Sequence, residues 1–197
     1  MYLVGELSAT VTGKSNSFHT LFPKADLFSP AYKVSYTNSS LSFSHLSTTS
    51  TIPLFNVPQR IAPAEITVSP DNRFLLISNR NDTSFTLPTL GKSDSLSTFA
   101  LSPSGNLTFH QLWPAGGAFP RHFELNSVGN LVAVGLQNSQ AVTILQRDVA
   151  TGLIGEPIAR VPIGGNVTNV VWYEGVAGRQ ELAATLSDLT KAGKKEL

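Results

Sequence analysis

The stretch that decides the fold is AEITVSPDNRFLLISNR, residues 64–80. It contains a first segment with Ile66 and Val68, a turn sequence SPDN at 69–72 and a continuous apolar run over 74–77. An apolar run of this length beside turn residues is typical of a buried strand, and Pro, Asp and Asn together favour a chain reversal. The stretch therefore predicts a strand, a tight turn and a second, buried strand.

The same pattern recurs downstream as RHFELNSVGNLVAVGLQ, residues 121–137. Phe74 matches Leu131 and Arg80 matches Gln137, an offset of 57 residues in both cases. A further strand pair follows each copy, so each unit predicts a four-stranded antiparallel sheet. Repeats of about 40 to 57 residues with four strands are typical of β-propeller blades. The alternative is a β-sandwich with accidental internal similarity, which leaves the recurrence of both unit and spacing unexplained.

The predicted fold class is all-β, a partial β-propeller of about three four-stranded antiparallel blades. The predicted units over residues 1–174 are blades at about 1–60, 64–115 and 120–163, and a lone strand at 167–173. Tyr2 to Val11 match the second strand of a blade, so that Glu6 is equivalent to Arg80 and Gln137. The first strand of that blade would lie before Met1, and the chain is therefore expected to be truncated.

Residues 175–197 are predicted to be a polar tail with a short C-terminal helix. Leu182, Leu186 and Leu189 recur there at three- and four-residue steps, which is the spacing of one helix face. The charged residues at the extreme end indicate a solvated segment rather than a binding patch.

Composition excludes several classes of function. Lys plus Arg total 14 and Asp plus Glu total 13, which gives a net charge of +1 and argues against nucleic acid or an anionic membrane as partner. Cysteine is absent, so disulfides and thiolate ligands are excluded. His19, His45 and His110 have no companions at ligand spacing, so no metal site and no cofactor are expected.

The expected location is the cytoplasm. Met1 leads directly into Tyr-Leu-Val-Gly-Glu, without the basic and extended apolar regions of a signal peptide. No apolar run approaches the roughly 18 residues that a membrane span needs. An extracellular location would require a longer parent chain with its own signal peptide.

A set of motifs resembles one known family. The motifs are GGAFPRHF at 116–123, Glu6-Leu7, AEI at 64–66 and SNR at 78–80. In this order and spacing they resemble the seven-bladed lactonase propellers, which include propeller-type 6-phosphogluconolactonases and fungal carboxy-cis,cis-muconate cyclases. The resemblance covers residues 1 to about 174 and only the C-terminal portion of the family's longer chains. It implies a lactone hydrolase or related cyclase that acts on a small anionic lactone.

Five residues are candidates for the site. Glu6, Arg80 and Gln137 occupy equivalent positions in three blades, where propeller geometry gathers them at one mouth of the central channel. By resemblance, Glu6 and Arg80 are catalytic, with Arg121 as a third candidate. Arg121, His122 and Gln137 are predicted to bind substrate because of their place near the channel, and the alternative for Gln137 is a structural role. Lactone opening needs a group that activates water, and guanidinium groups suit an anionic substrate. The alternatives are a structural ion pair for Glu6 and Arg80, and a hydrogen-bonded channel histidine for His122.

Three hypotheses of function follow. The first is a lactone hydrolase or cyclase, represented by a truncated chain. The second is a non-catalytic propeller module that binds a ligand or protein partner, and the third is an inactive fragment. Because the missing blades would leave the pocket incomplete, we expect this chain alone to have little lactonase activity. Because apolar blade faces and unpaired strand edges would be open to solvent, we also expect it to self-associate through its open blade edges.

Overall fold

The computed structural model describes residues 9–12, 17–20, 28–36, 40–53 and 61–175. Within these ranges the regular structure consists of β-strands, which confirms the predicted all-β class. The predicted C-terminal helix and Glu6 lie outside the described residues.

The described strands form three four-stranded antiparallel sheets, one after another along the chain. The first sheet consists of β1 (Ala9–Thr12), β2 (Ser17–Thr20), β3 (Phe28–Tyr36) and β4 (Leu41–Ser50). The second consists of β5 (Ala62–Val68), β6 (Phe74–Arg80), β9 (Ser95–Leu101) and β10 (Leu107–Pro114). The third consists of β11 (Pro120–Leu125), β12 (Leu131–Leu136), β13 (Ala141–Arg147) and β14 (Ile154–Pro162). The four-stranded units predicted from the repeat are thereby confirmed.

A small hairpin interrupts the second sheet, and the sequence patterns did not predict it. Its strands, β7 (Phe85–Leu87) and β8 (Gly91–Ser93), lie between β6 and β9 in the chain. The insertion places two acidic residues, Asp82 and Asp94, beside the end of β6. Both become important at the candidate site.

Strand β6 is buried on both faces because its side chains alternate between two cores. Phe74 and Leu76 belong to the core shared with the third sheet, whereas Leu75 and Ile77 pack on the opposite face. Full burial of one such side chain contributes roughly 1.5–3 kcal/mol. The apolar run over 74–77 therefore packs against the third sheet on one face and against side chains of its own sheet on the other.

The second and third sheets pack against each other through one apolar core. The third sheet contributes Phe123 from β11 and Val132, Val134 and Leu136 from β12, and all four are buried. The first strands of the two sheets, β5 and β11, lie beside each other. Face-to-face sheets with adjacent first strands are the arrangement of neighbouring propeller blades.

The strand predicted at 167–173 is not present, and that prediction was wrong. The segment lies along the third sheet. Val167 packs closely on Gly135, because a Cβ atom added to Gly135 would lie 2.9 Å from Cγ1 of Val167. The Trp172 backbone N–H donates to Glu124 Oε2 at 2.6 Å, and the indole N–H donates to the Glu124 carbonyl at 2.9 Å. Side-chain contacts thus hold a segment that has no backbone ladder among the described strands.

Candidate active site

Arg80 connects the second sheet to the third. It is the last residue of β6 and is only 8% exposed. Its Nε donates to the Ala62 carbonyl at 3.3 Å and its Nη2 to the Pro63 carbonyl at 3.3 Å, both on β5. The guanidinium carbon lies 5.1 Å from the centre of the Phe119 ring, a cation–π contact with the residue directly before β11.

Arg121 and Gln137 occupy the corresponding end of the third sheet. The Arg121 Nη1 donates to Gln137 Oε1 at 3.4 Å, and both side chains are half-buried. The Gln137 backbone N–H donates to the Phe119 carbonyl at 2.9 Å. Phe119 is therefore in contact with the two residues, Arg80 and Gln137, that the repeat makes equivalent.

His122 forms a separate pair with Glu65 across the first strands of the two sheets. The His122 Nε2 lies 3.3 Å from Glu65 Oε2. The Val170 backbone N–H donates to His122 Nδ1 at 3.4 Å. Both ring nitrogens thus have protein partners, and a substrate-binding role for His122 stays a prediction.

A single buried carboxylate, that of Asp94, joins the loops at this end of the sheets. Asp94 lies between β8 and β9 and is 2% exposed. Its Oδ2 accepts the backbone N–H groups of Asn81 at 3.0 Å and Phe119 at 2.7 Å, and its Oδ1 accepts that of Thr83 at 2.9 Å. The N–H donors therefore come from the loop after β6 and from the loop before β11.

Asp82 is a second buried carboxylate, also 2% exposed. It accepts hydrogen bonds from the hydroxyl groups of Ser84 and Ser95, which favour its charged form. Burial outweighs them and, together with the negative charge of Asp94, raises the pKa of Asp82 from 3.8 to about 6.

The structure thus brings Arg80, Arg121 and Gln137 to one end of the two sheets, and it pairs His122 with Glu65 rather than with these residues. Sequence reasoning missed Asp94 and Phe119. For Asp94 the available signal was an acidic residue just before an apolar strand, a pattern that also occurs at ordinary turns. Phe119 lies within the motif GGAFPRHF, which did not indicate its contacts.

The described residues support neither a metal site nor a membrane-spanning helix. In those ranges, no three His, Asp or Glu side chains converge as metal ligands would. No helix in the same part of the chain has the length and apolar content to cross a membrane.

Four-stranded antiparallel sheets that stack face to face, with adjacent first strands, define a β-propeller. The model of the family "Lactonase, 7-bladed beta-propeller" matches residues 27–172. The chain belongs to this lactonase family.

Curated relatives are similar to the chain in sequence, and a solved structure shares its fold. A 6-phosphogluconolactonase of Formosa agariphila is 32% identical over 104 residues, which are 52% of this chain and 27% of that protein. A probable 6-phosphogluconolactonase of Arthroderma benhamiae is 28% identical over 78% of this chain and 32% of its own length. The periplasmic gluconolactonase of Pseudomonas aeruginosa aligns with a TM-score of 0.69 and 23% identity, over 82% of this chain and 40% of that structure.

The chain spans about a third of the length of the curated relatives that it matches. These relatives are named as phosphogluconolactonases or have no assigned activity, so the muconate cyclase suggested by resemblance stays a prediction.

Proposed function

We propose that the protein is a hydrolase of small anionic lactones of the 6-phosphogluconolactone class. In this reaction water adds to the lactone carbonyl, the acyl–oxygen bond breaks, and a hydroxy acid is released. The observation that supports the proposal most is the placement of Arg80, Arg121 and Gln137 at one end of two neighbouring sheets.

The chemistry of these residues suits an anionic substrate. The planar guanidinium group of Arg121 can bind a phosphate or carboxylate through two parallel hydrogen bonds. Arg80 is already bound to two carbonyl groups of β5, so its main contribution is a fixed positive charge near the developing oxyanion. Glu6 is the proposed group that accepts a proton from water.

The first test measures binding of 6-phosphogluconate, the hydrolysis product, to the 197-residue chain by isothermal titration calorimetry. Arg121→Ala is expected to weaken binding by about tenfold or more, because a charge-assisted hydrogen bond contributes roughly 1.5–3 kcal/mol. Arg160→Ala is the matched control, since Arg160 is exposed on the outer strand β14, and it should bind as the unchanged protein does. Equal affinities for all three proteins, or no binding at all, would contradict an anion site at Arg121.

The second test measures hydrolysis of 6-phosphogluconolactone, corrected for spontaneous opening. We expect little turnover from this chain, since its match covers only 27% to 36% of the length of these relatives. Any excess over the spontaneous rate should disappear in Glu6→Gln. Binding without turnover in longer family chains as well would favour the rival hypothesis, a non-catalytic binding module.

Self-association is the partner interaction that we propose for this chain. Val161 is 55% exposed on β14 beside its cross-strand neighbour Val142, and Ile163 and Val171 are also exposed. Exposed apolar side chains such as these can mark protein–protein contact surfaces. Size-exclusion chromatography with light scattering should show a mass that rises with concentration, and Val161→Lys should reduce that rise. A monomer at every concentration would exclude this surface as a contact.

A further inference from the structure

We propose that Asp94 is a positioning residue for the arginine pair, because its carboxylate binds the backbone of both loops that present Arg80 and Arg121. The inference deepens the proposed function, and only its binding measurement rests on that function.

The three residues that donate to Asp94 share an unusual backbone conformation. The φ angles are 61° at Asn81, 45° at Thr83 and 64° at Phe119, all in the left-handed region that residues other than glycine rarely adopt. Each of these residues directs its backbone N–H at the same carboxylate. Only two further non-glycine residues among those described have positive φ, so three of five such residues bind Asp94.

A carboxylate suits this role for a physical reason. At all three residues the left-handed conformation accompanies a backbone N–H that donates to this one anion. Hydrogen bonds to an ionised acceptor are about twice as strong as neutral ones, so they can offset the cost of unfavourable φ angles. Burial of Asp94 keeps water from competing for the same N–H groups.

The bound N–H groups lie directly beside the arginines. Asn81 is the next residue after Arg80, so fixing its N–H fixes the end of β6. Phe119 lies two residues before Arg121, and its ring lies under the Arg80 guanidinium. The Asp94 backbone adds two more bonds, donating to Gly117 at 3.0 Å and accepting from Ala115 at 2.8 Å, in the connection to the third sheet. Asp94 therefore determines where one arginine stands relative to the other.

The test uses amide hydrogen exchange and the Arg80 side-chain signal, both measured by NMR on Asp94→Asn in the full chain. We expect the amide protons of Asn81, Thr83 and Phe119 to exchange about tenfold faster, while those of Leu76 and other core positions keep their rates. The Arg80 Nε–H signal should lose the shift caused by the Phe119 ring.

The matched control is Asp148→Asn. Asp148 also accepts a backbone N–H, that of Thr151 at 2.8 Å, but it is exposed and lies outside this cluster. In this variant exchange should accelerate at Thr151 and stay unchanged at the three amides bound to Asp94. If Asp94→Asn folds and the amide exchange rates of the three residues bound to Asp94 are unchanged, the proposal is overturned. Faster exchange at Asn81 alone, with no change at Phe119 and Arg80, would overturn it as well, because Asp94 would then be an ordinary turn residue.

If Asp94→Asn does not fold by itself, the same substitution is tested in a second variant that tolerates it. Asn81→Gly and Thr83→Gly remove the cost of the left-handed angles at two exposed positions, so this double variant should tolerate Asp94→Asn. The Phe119 amide and the Arg80 signal are then compared with and without Asp94→Asn, and both must change.

The affinity for 6-phosphogluconate is measured on the same proteins, and Asp94→Asn is expected to bind about tenfold more weakly. If the unchanged protein does not bind 6-phosphogluconate, the proposed function fails, while hydrogen exchange still decides the role of Asp94. If the unchanged protein binds and Asp94→Asn binds equally well, the arginines do not depend on Asp94 and the inference fails alone.

Discussion

Replacing Gly152 with alanine is expected to lower the free energy of unfolding by about 3 kcal/mol. Gly152 has a φ angle of 81°, which is unfavourable for any residue with a Cβ atom. An added Cβ would also lie 2.5 Å from Cδ1 of the buried Phe74 ring. The ring cannot retreat freely, because the guanidinium groups of Arg73 and Arg147 lie 5.1 and 5.2 Å from its centre. The added methyl group should therefore disturb the core between the second and third sheets.

Gly91→Ala is the matched control for this prediction. Gly91 has a similar φ angle of 73°, but a Cβ atom there would meet nothing within 4 Å. Its replacement should cost only the left-handed conformation, about 1 kcal/mol. Urea unfolding followed by tryptophan fluorescence measures both losses. Equal losses would mean that the contact with Phe74 relaxes without cost.

Asp82→Asn is expected to stabilise the protein at neutral pH, an unusual result for a buried polar residue. The folded protein raises the pKa of Asp82 to about 6 from an ordinary 3.8, so the folded state binds its proton more tightly than the unfolded state. Between these two values stability must fall as the pH rises. A difference of roughly two pKa units corresponds to about 3 kcal/mol lost by pH 7. Asparagine keeps an acceptor for Ser84 and Ser95 but carries no charge.

The measurement is the free energy of unfolding between pH 4 and pH 8. The two proteins should have similar stability near pH 4, and Asp82→Asn should be more stable by up to about 3 kcal/mol above pH 6. Asp148→Asn is the control, and its stability is expected to change in the opposite direction, because hydrogen bonds from Thr151 hold the pKa of Asp148 below 3.8. It should lose stability at neutral pH. A constant difference between Asp82→Asn and the unchanged protein across this range would exclude Asp82 as the titrating group.

Both predictions depend on contacts that the sequence patterns did not predict. Thr151 and Gly152 are typical turn residues, but the sequence does not show that Gly152 lies beside Phe74. Asp82 belongs to an insertion that no repeat equivalence covers. In each case the physical effect comes from a contact between segments that lie far apart in the chain or in separate strands.

The segment at 167–173 is the opposite case, because the sequence predicted a strand that the structure does not contain. Its apolar residues match the first strand of the repeat, and the sequence therefore predicted a strand. A strand exists only where a neighbour supplies its backbone hydrogen bonds, and residue patterns do not reveal whether that neighbour is present. In the structure, Glu124 and His122 bind the segment through their side chains instead.

What the sequence determined by itself was the all-β class, the four-stranded units and the equivalence of Arg80 with Gln137. These properties depend on alternation along a strand and on repeat spacing, both of which are local. The tertiary structure alone decided that Phe119 lies under Arg80, that Glu65 faces His122 and that Asp94 binds two loops. Those contacts depend on how one sheet stacks on the next, and stacking is set by the whole apolar core rather than by the residues that meet at the site.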